Sequence, residues 1–150
     1  MERFETSLGL LGIEATDAGI RRISFFPKGP MGGGRDQRIN ALLADIESYA
    51  RGDPVDLSRH PTDLSQATDF QRRVWRAASS IPYGETASYG ELARAIGCPG
   101  AARAVGNALG ANPTPLIIPC HRIVAKGGAG GFSVGLPMKL KLLGLEGSTI

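Results

Sequence analysis

Sulfur and imidazole are scarce in this chain. Two cysteines and two histidines in 150 residues leave no disulfide framework to build on, and their spacing is poor for a structural zinc site. Nowhere does an apolar run approach the ~20 residues needed to span a bilayer. The opening Met1-Glu2-Arg3-Phe4-Glu5 lacks the basic-then-apolar pattern of a secretory signal. The expectation is a cytoplasmic protein (nuclear in a eukaryote) with no membrane partner, in a reducing compartment where the thiols need not pair. Pro27 to Gly34 is rich in glycine but lacks the Lys-Ser/Thr ending of a phosphate-binding loop, so it reads as a flexible connection. With 42% hydrophobic and 21% charged residues, the chain has the composition of a soluble globular protein. Its length suits one ordinary domain or two small ones.

Charge is unevenly spread. Residues 1–66 carry 8 Lys/Arg against 10 Asp/Glu, whereas residues 67–150 carry 9 against 4. The second half is therefore the better candidate to meet a polyanion such as nucleic acid.

Pattern divides the chain in the same place. Phe4 to Phe26 reads as a β-hairpin or meander turning at Asp17-Ala18-Gly19. Ile39, Leu42, Leu43, Ile46, Tyr49 and Ala50 keep helical spacing, predicting a helix from about Asp36 to Arg51. Val55-Asp56-Leu57 is a candidate short strand, and the polar Ser58 to Gln66 is linker-like. Beyond it, Thr68-Asp69-Phe70-Gln71 and Ser88-Tyr89-Gly90-Glu91 have the spacing of capping boxes, each opening a helix. Pro99 is expected at the first position of a further helix, about Gly100 to Leu109. That helix is built of small residues, with Arg103 as its one long side chain. Two short helices across a Gly-containing turn suggest a helix-turn-helix. A last helix starts at Pro137.

One stretch organises the rest: Asn112-Pro113-Thr114-Pro115-Leu116-Ile117-Ile118-Pro119-Cys120-His121-Arg122. Proline fixes φ and removes a donor, so this is a rigid, mostly buried path rather than a helix. It ends by presenting Cys120 against His121 and Arg122, whose positive charge is expected to lower the thiol pKa. If the segment is extended, adjacent side chains point to opposite sides, and His121 does not touch Cys120 directly.

Around this stretch lie Phe70-Gln71, Val74-Trp75, Ile81-Pro82-Tyr83-Gly84-Glu85-Thr86, Ser88-Tyr89-Gly90-Glu91-Leu92-Ala93 and Ala101-Ala102-Arg103-Ala104-Val105-Gly106. Downstream come Gly131-Phe132-Ser133, Leu142-Leu143 and Glu146-Gly147. Taken with Pro119-Cys120-His121-Arg122-Ile123-Val124, the set resembles the O6-alkylguanine-DNA alkyltransferases over about residues 67–147. The resemblance implies an α/β, RNase H-like N-terminal domain (1–66) and a mainly α, winged-helix/helix-turn-helix-like C-terminal domain (67–150) that binds DNA.

It also implies a DNA repair activity. An alkyl group, mainly methyl, would pass from O6-alkylguanine to Cys120 in a single irreversible turnover, with O4-methylthymine a further candidate substrate. His121 would act as base through a bridging water, oriented by Glu146. Tyr89 would give a proton to the purine N3, and Asn112 would brace the segment before the cysteine. Ser133 would bond near O6, and the carbonyls of Cys120 and Ile123 would read the guanine amine, with Phe132 and Val134 beside the base. Arg103 would fill the gap left by the flipped nucleotide, with Ala102, Ser88 and Arg122 on the same DNA-binding side. The implied partner is double-stranded DNA entered from the minor groove by a monomer, with no cofactor and no metal.

The sequence departs from the family's pattern in three places: Phe132 stands where many members carry Tyr, the loop from Cys120 to Phe132 is one residue shorter, and Val134 stands where a small residue is common. Val134 is therefore expected to narrow the pocket and to weaken reaction with O6-benzylguanine. Other readings are an alkylated-DNA binder that transfers nothing, an alkylation sensor, and a cysteine hydrolase. The first is opposed by the residue itself, because such relatives replace this cysteine, commonly with tryptophan.

Overall fold

The computed structural model describes residues 2–27, 36–132 and 134–148. Most of the expected Pro27–Gly34 loop, and Ser133, lie outside the described residues. Contacts divide the chain into two compact units, Met1–Ser65 with Pro113–Ile117, and Gln66–Asn112 with Ile118–Ile150. Together they form an α/β fold, with small sheets and five helices among the described residues.

In the first unit, β1 (Glu2–Thr6), β2 (Gly9–Thr16) and β3 (Gly19–Phe25) make an antiparallel meander in that order. Ile13 pairs with Ile23, and Leu11, Ile13, Ile20 and Ile23 are buried. The register shifts between Glu14 and Ala15, a bulge that lets the strand bend. Helix α1 (Gln37–Ala50) buries Ile39, Leu42, Ile46 and Tyr49, one face of a 3.6-residue period. Asp36 caps it by accepting a bond from Arg38 N. The strand expected at 55–57 is not there. The Asp56 carboxylate accepts from Ser58 N at 3.0 Å and starts a 3₁₀ turn at Leu57–Arg59 instead, a local bond that competes with strand pairing. Nor is the following stretch a loose linker, since Ile20 N donates to Pro61 O and Asp63 N to Ile20 O, at 2.9 and 2.8 Å.

The second unit holds α2 (Asp69–Ser79), β4 (Ala87–Ser88), α3 (Tyr89–Ala95), α4 (Ala102–Gly110), β5 (Ile123–Val124) and α5 (Leu136–Leu145). Both capping boxes form: Thr68 with Gln71 at α2, and Ser88 with Glu91 at α3. Val74, Trp75 and Ala78 are the buried face of α2, and Trp75 Nε1 donates to Ala108 O at 2.8 Å, fastening α2 to α4. Phe70 and Ile81, on either side of that face, are only part-buried. Helix α4 begins at Ala102, later than expected, because Cys98 to Ala101 closes a turn first, with Ala101 N donating to Cys98 O. Pro99 therefore belongs to the turn.

Two short strands fix the position of Tyr89. Strands β4 and β5 pair in parallel, Ala87 with Ile123 and Ser88 with Val124. That ladder holds the start of α3, and hence Tyr89, beside the chain that leaves Cys120. Before the cysteine, Leu116 is buried with φ 80, a conformation a branched side chain adopts only where its surroundings fix it. Thr114 to Ile123 are all buried, as the proline-bracketed run predicts.

Candidate active site

Cys120 opens a single 3₁₀ turn, Cys120–Arg122, rather than lying in extended chain. The premise that adjacent side chains alternate therefore fails here. Just before the turn, Asn112 Nδ2 donates to Ile118 O at 2.9 Å. The thiol is 5% exposed, and its pKa is pushed up to about 11 by burial; the Asn112 side chain and the charge of Lys139 pull it down by less. The expected lowering by neighbouring cations is thus reversed. Desolvation penalises the thiolate more than these cations stabilise it.

One reason is that Arg122 is committed elsewhere. Its Nε donates to Glu146 Oε1 at 2.7 Å and its Nη2 to Glu146 Oε2 at 3.2 Å, while Nη1 donates to Ile81 O at 2.8 Å. At 7% exposed, this guanidinium has little to offer a phosphate, which corrects its expected place among the DNA contacts. Arg122 is an internal strut.

Glu146 is the hub of this cluster. It also accepts from Gly84 N at 3.2 Å and lies 2.6 Å from His121 Nε2. Gly84 has φ +84, and a Cβ there would lie 3.1 Å from Glu146 O, so the turn after Pro82 needs glycine to approach this closely. A carboxylate held by a guanidinium stays ionised and can only accept, so His121 Nε2 carries the hydrogen and Nδ1 is left as the basic nitrogen. Burial lowers the His121 pKa and outweighs the upward pull of Glu146, keeping the imidazole neutral at pH 7. The ring is therefore ready to take a proton.

Lys139 was not anticipated. This α5 residue is fully buried, with Nζ donating to Ile123 O at 2.6 Å and Gly131 O at 2.8 Å, and it lies 6.0 Å from the centre of the Tyr89 ring. Burial lowers its pKa to about 8. It ties the glycine-rich loop to the strand that leaves Cys120. The only signal in the sequence is register, since 139, 142, 143 and 146 fall on one helical stripe and two of them are buried leucines.

Tyr89 bonds the same loop more weakly, its hydroxyl 3.4 Å from Gly131 O, and burial raises its pKa. Gly130, at φ +76, lets the loop backbone lie against this ring; a Cβ would come within 3.1 Å of the Tyr89 oxygen and 2.9 Å of Ala125 N. A cavity of about 200 Å³ results, lined by Tyr89, Gly106, Leu109, Gly110, Cys120, Gly131 and Phe132. That is smaller than most drug-sized pockets, which start near roughly 300 Å³. Phe132 is on its wall. Val134 is not, so the narrowing expected of it is not what bounds this space.

A groove of about 710 Å³ runs beside the cavity, with Ser88, Arg94, Ala102 and Lys126 among its walls. Tyr89 belongs to both and stands between them. Arg103 is exposed on α4.

A family model described as "6-O-methylguanine DNA methyltransferase, DNA binding domain" matches residues 69–148. The chain is 38% identical over 146 residues to a probable methylated-DNA–protein-cysteine methyltransferase of Acanthamoeba polyphaga mimivirus, covering 97% of this chain and 95% of the other. The chain belongs to the methylated-DNA–protein-cysteine methyltransferase family. A member from Mycolicibacterium paratuberculosis is 39% identical, with 95% of this chain and 88% of that protein covered. Among solved structures, Mycobacterium tuberculosis OGT in complex with DNA aligns with TM-score 0.84 at 35% identity, covering 97% of this chain and 91% of that one.

The second unit holds the buried Cys120, a His121 imidazole that is neutral at pH 7, and the cavity that Cys120 lines. The Ile123 carbonyl accepts from Lys139, and the Cys120 carbonyl accepts from Ile123 N. Each oxygen keeps a second lone pair. No helix among the described residues is long and apolar enough to cross a membrane.

Proposed function

We propose that this protein repairs alkylated DNA by taking the alkyl group of O6-alkylguanine, mainly methyl, onto Cys120. The observation that carries the reading is the buried Cys120 on the wall of a cavity of about 200 Å³, followed in the chain by a neutral imidazole held at Nε2 by Glu146. Sγ attacks the alkyl carbon in line with the C–O6 bond. The S–C bond forms as the C–O6 bond breaks, and that electron pair stays on guanine. The thiol proton passes to His121 through a bridging water, while the Tyr89 hydroxyl protonates N3 of the leaving purine and is reprotonated in turn.

A resting thiol with a pKa near 11 fits such a route. Deprotonation is coupled to the arrival of the electrophile, and the buried sulfur stays inert to small oxidants in between. A thioether is a poor leaving group, so each molecule acts once.

The same chemistry dictates how DNA is met. The lesion must leave the base stack, at roughly a few kcal/mol, to reach a cavity of this depth. The groove with Ser88 and Ala102 on its walls receives the duplex from the minor-groove side, with Arg103 filling the vacated place. The α3–turn–α4 pair is the helix-turn-helix of a winged-helix-like C-terminal domain, residues 67–150. Residues 1–66 are an RNase H-like N-terminal domain, and the protein acts as a monomer. Ser133 bonds near O6, and the Cys120 and Ile123 carbonyls accept from the guanine amine. A titration of excess O6-methylguanine duplex against a known amount of protein tests the proposal. Repair should stop at one lesion per molecule; continued turnover, or none at all, would overturn it.

A further inference from the structure

Residues 81–84 form a turn that bonds both Arg122 and the α5 end carrying Glu146. Glu85 N donates to Pro82 O at 3.1 Å and closes it. Three of its groups then reach outward: the Ile81 carbonyl accepts from Arg122 Nη1 at 2.8 Å, Tyr83 Oη donates to Leu145 O at 2.9 Å, and Gly84 N donates to Glu146 Oε1 at 3.2 Å. The Arg122 guanidinium also lies 6.0 Å from the centre of the Tyr83 ring, at the edge of cation–π range. The last turn of α5 shows what the Tyr83 hydroxyl does. Backbone groups serve three of its carbonyls, with Glu146 N donating to Leu142 O, Ser148 N to Leu143 O and Gly147 N to Gly144 O. Carbonyls at a helix end need donors from outside the helix, and Leu145 O takes its bond from Tyr83, 62 residues earlier in the chain. Glu146 follows directly as the C-cap. The hydroxyl thus pins the backbone from which the carboxylate reaches His121 Nε2 at 2.6 Å.

We infer that Tyr83 is a positioning residue for alkyl transfer: its hydroxyl holds the end of α5 so that Glu146 keeps the His121 imidazole in the tautomer and orientation that leave Nδ1 to take the thiol proton. The inference rests on the alkyl-transfer reading above. The Arg122–Glu146 pair does not make the hydroxyl redundant, because Arg122 is itself anchored to Ile81 O of the same turn. Tyr83 lines neither the cavity nor the groove beside it, so it acts on the rate of transfer and not on the hold on DNA.

Tyr83→Phe removes one oxygen, keeps the ring, and is compared with wild type in two measurements. Single-turnover transfer from an O6-methylguanine duplex should slow by about tenfold at saturating DNA, the scale of a sub-ångström misplacement, with the half-saturating DNA concentration unchanged within about twofold. Nitrogen-15 NMR of the free protein, which has only two histidines, reads the base with no DNA present. In wild type His121 should carry its proton on Nε2 and exchange it slowly with water; in Tyr83→Phe that exchange should be about tenfold faster. An unchanged rate, a loss explained by weaker DNA binding, a slower rate with the His121 signals unaltered, or loss of the cooperative fold each overturns the inference. If wild type itself transfers nothing, the functional reading fails, while the NMR comparison still decides whether Tyr83 holds His121 through Glu146.

Discussion

Replacing Lys139 by methionine keeps the length of the side chain and removes its charge. In the native state Nζ serves the carbonyls of Ile123 and Gly131, and each loses a donor in the variant, at about 1–3 kcal/mol apiece. Against this stands the cost of burying the ammonium. The fall of its pKa from 10.5 to about 8 corresponds to about 3 kcal/mol. The two effects oppose, so at pH 7 Lys139→Met should remain folded, within about 3 kcal/mol of wild type.

The pH dependence separates them. A folded-state pKa below the unfolded value means that the unfolded chain binds more protons between about pH 8 and 10.5. Wild type should therefore gain stability relative to Lys139→Met as pH rises through that window, by up to about 3 kcal/mol, with no relative change below about pH 8. Cys120 pulls the other way. Its raised pKa gives stability that is full below 9.0 and lost as pH rises through about 11, but it is present in both proteins and largely cancels. Urea unfolding from pH 7 to 10.5 measures the difference. A flat difference across the window would refute the claim that Lys139 is a buried, strained cation. Methyl transfer should also slow by about tenfold, since the nearby charge that favours the thiolate is gone.

Three further expectations concern single groups. Arg122→Met should destabilise the protein by about 3–5 kcal/mol in urea, because it strips a bidentate partner from the buried Glu146; a loss below about 1 kcal/mol would remove Arg122 from its role as strut. The reactivity of Cys120 toward iodoacetamide should rise with an apparent pKa near 11, and a midpoint below the ordinary 9.0 would show that the thiol is activated at rest. Arg103→Ala should change stability by less than about 0.5 kcal/mol, as expected of an exposed side chain, yet slow transfer from duplex DNA while sparing transfer from the free O6-benzylguanine base; equal rates on both would dismiss it as the residue that fills the gap.

What could be read before folding was whatever local chemistry determines. The capping boxes at Thr68 and Ser88 formed because each needs only four consecutive residues. The meander and α1 followed from turn residues and apolar spacing. The motif around Cys120 also carried Tyr89, Asn112 and Glu146: Tyr89 lines the cavity with Cys120, Asn112 bonds Ile118 O, and Glu146 lies against His121. Errors arose where a partner lies far along the chain. Arg122 looked like a DNA contact because its carboxylate is 24 residues away. Lys139 drew no expectation because the carbonyls it binds, of Ile123 and Gly131, belong to other segments. The thiol pKa was misjudged in direction for a related reason: adjacency reveals which cations are near, but not how deeply the sulfur is buried or which anions those cations already serve. At 55–57 apolar character was mistaken for strand, although Asp56 had the short side chain that turns favour.

The central claim is that Cys120 is a reactant consumed in the repair. Incubating the protein with duplex DNA carrying O6-methylguanine, weighing it intact and mapping the modified peptide tests this directly. The account predicts a single exchange of methyl for hydrogen, located on Cys120 and absent from Cys120→Ala. Methylation of Cys120→Ala, or a methyl group found on any other residue of the wild type, would contradict it.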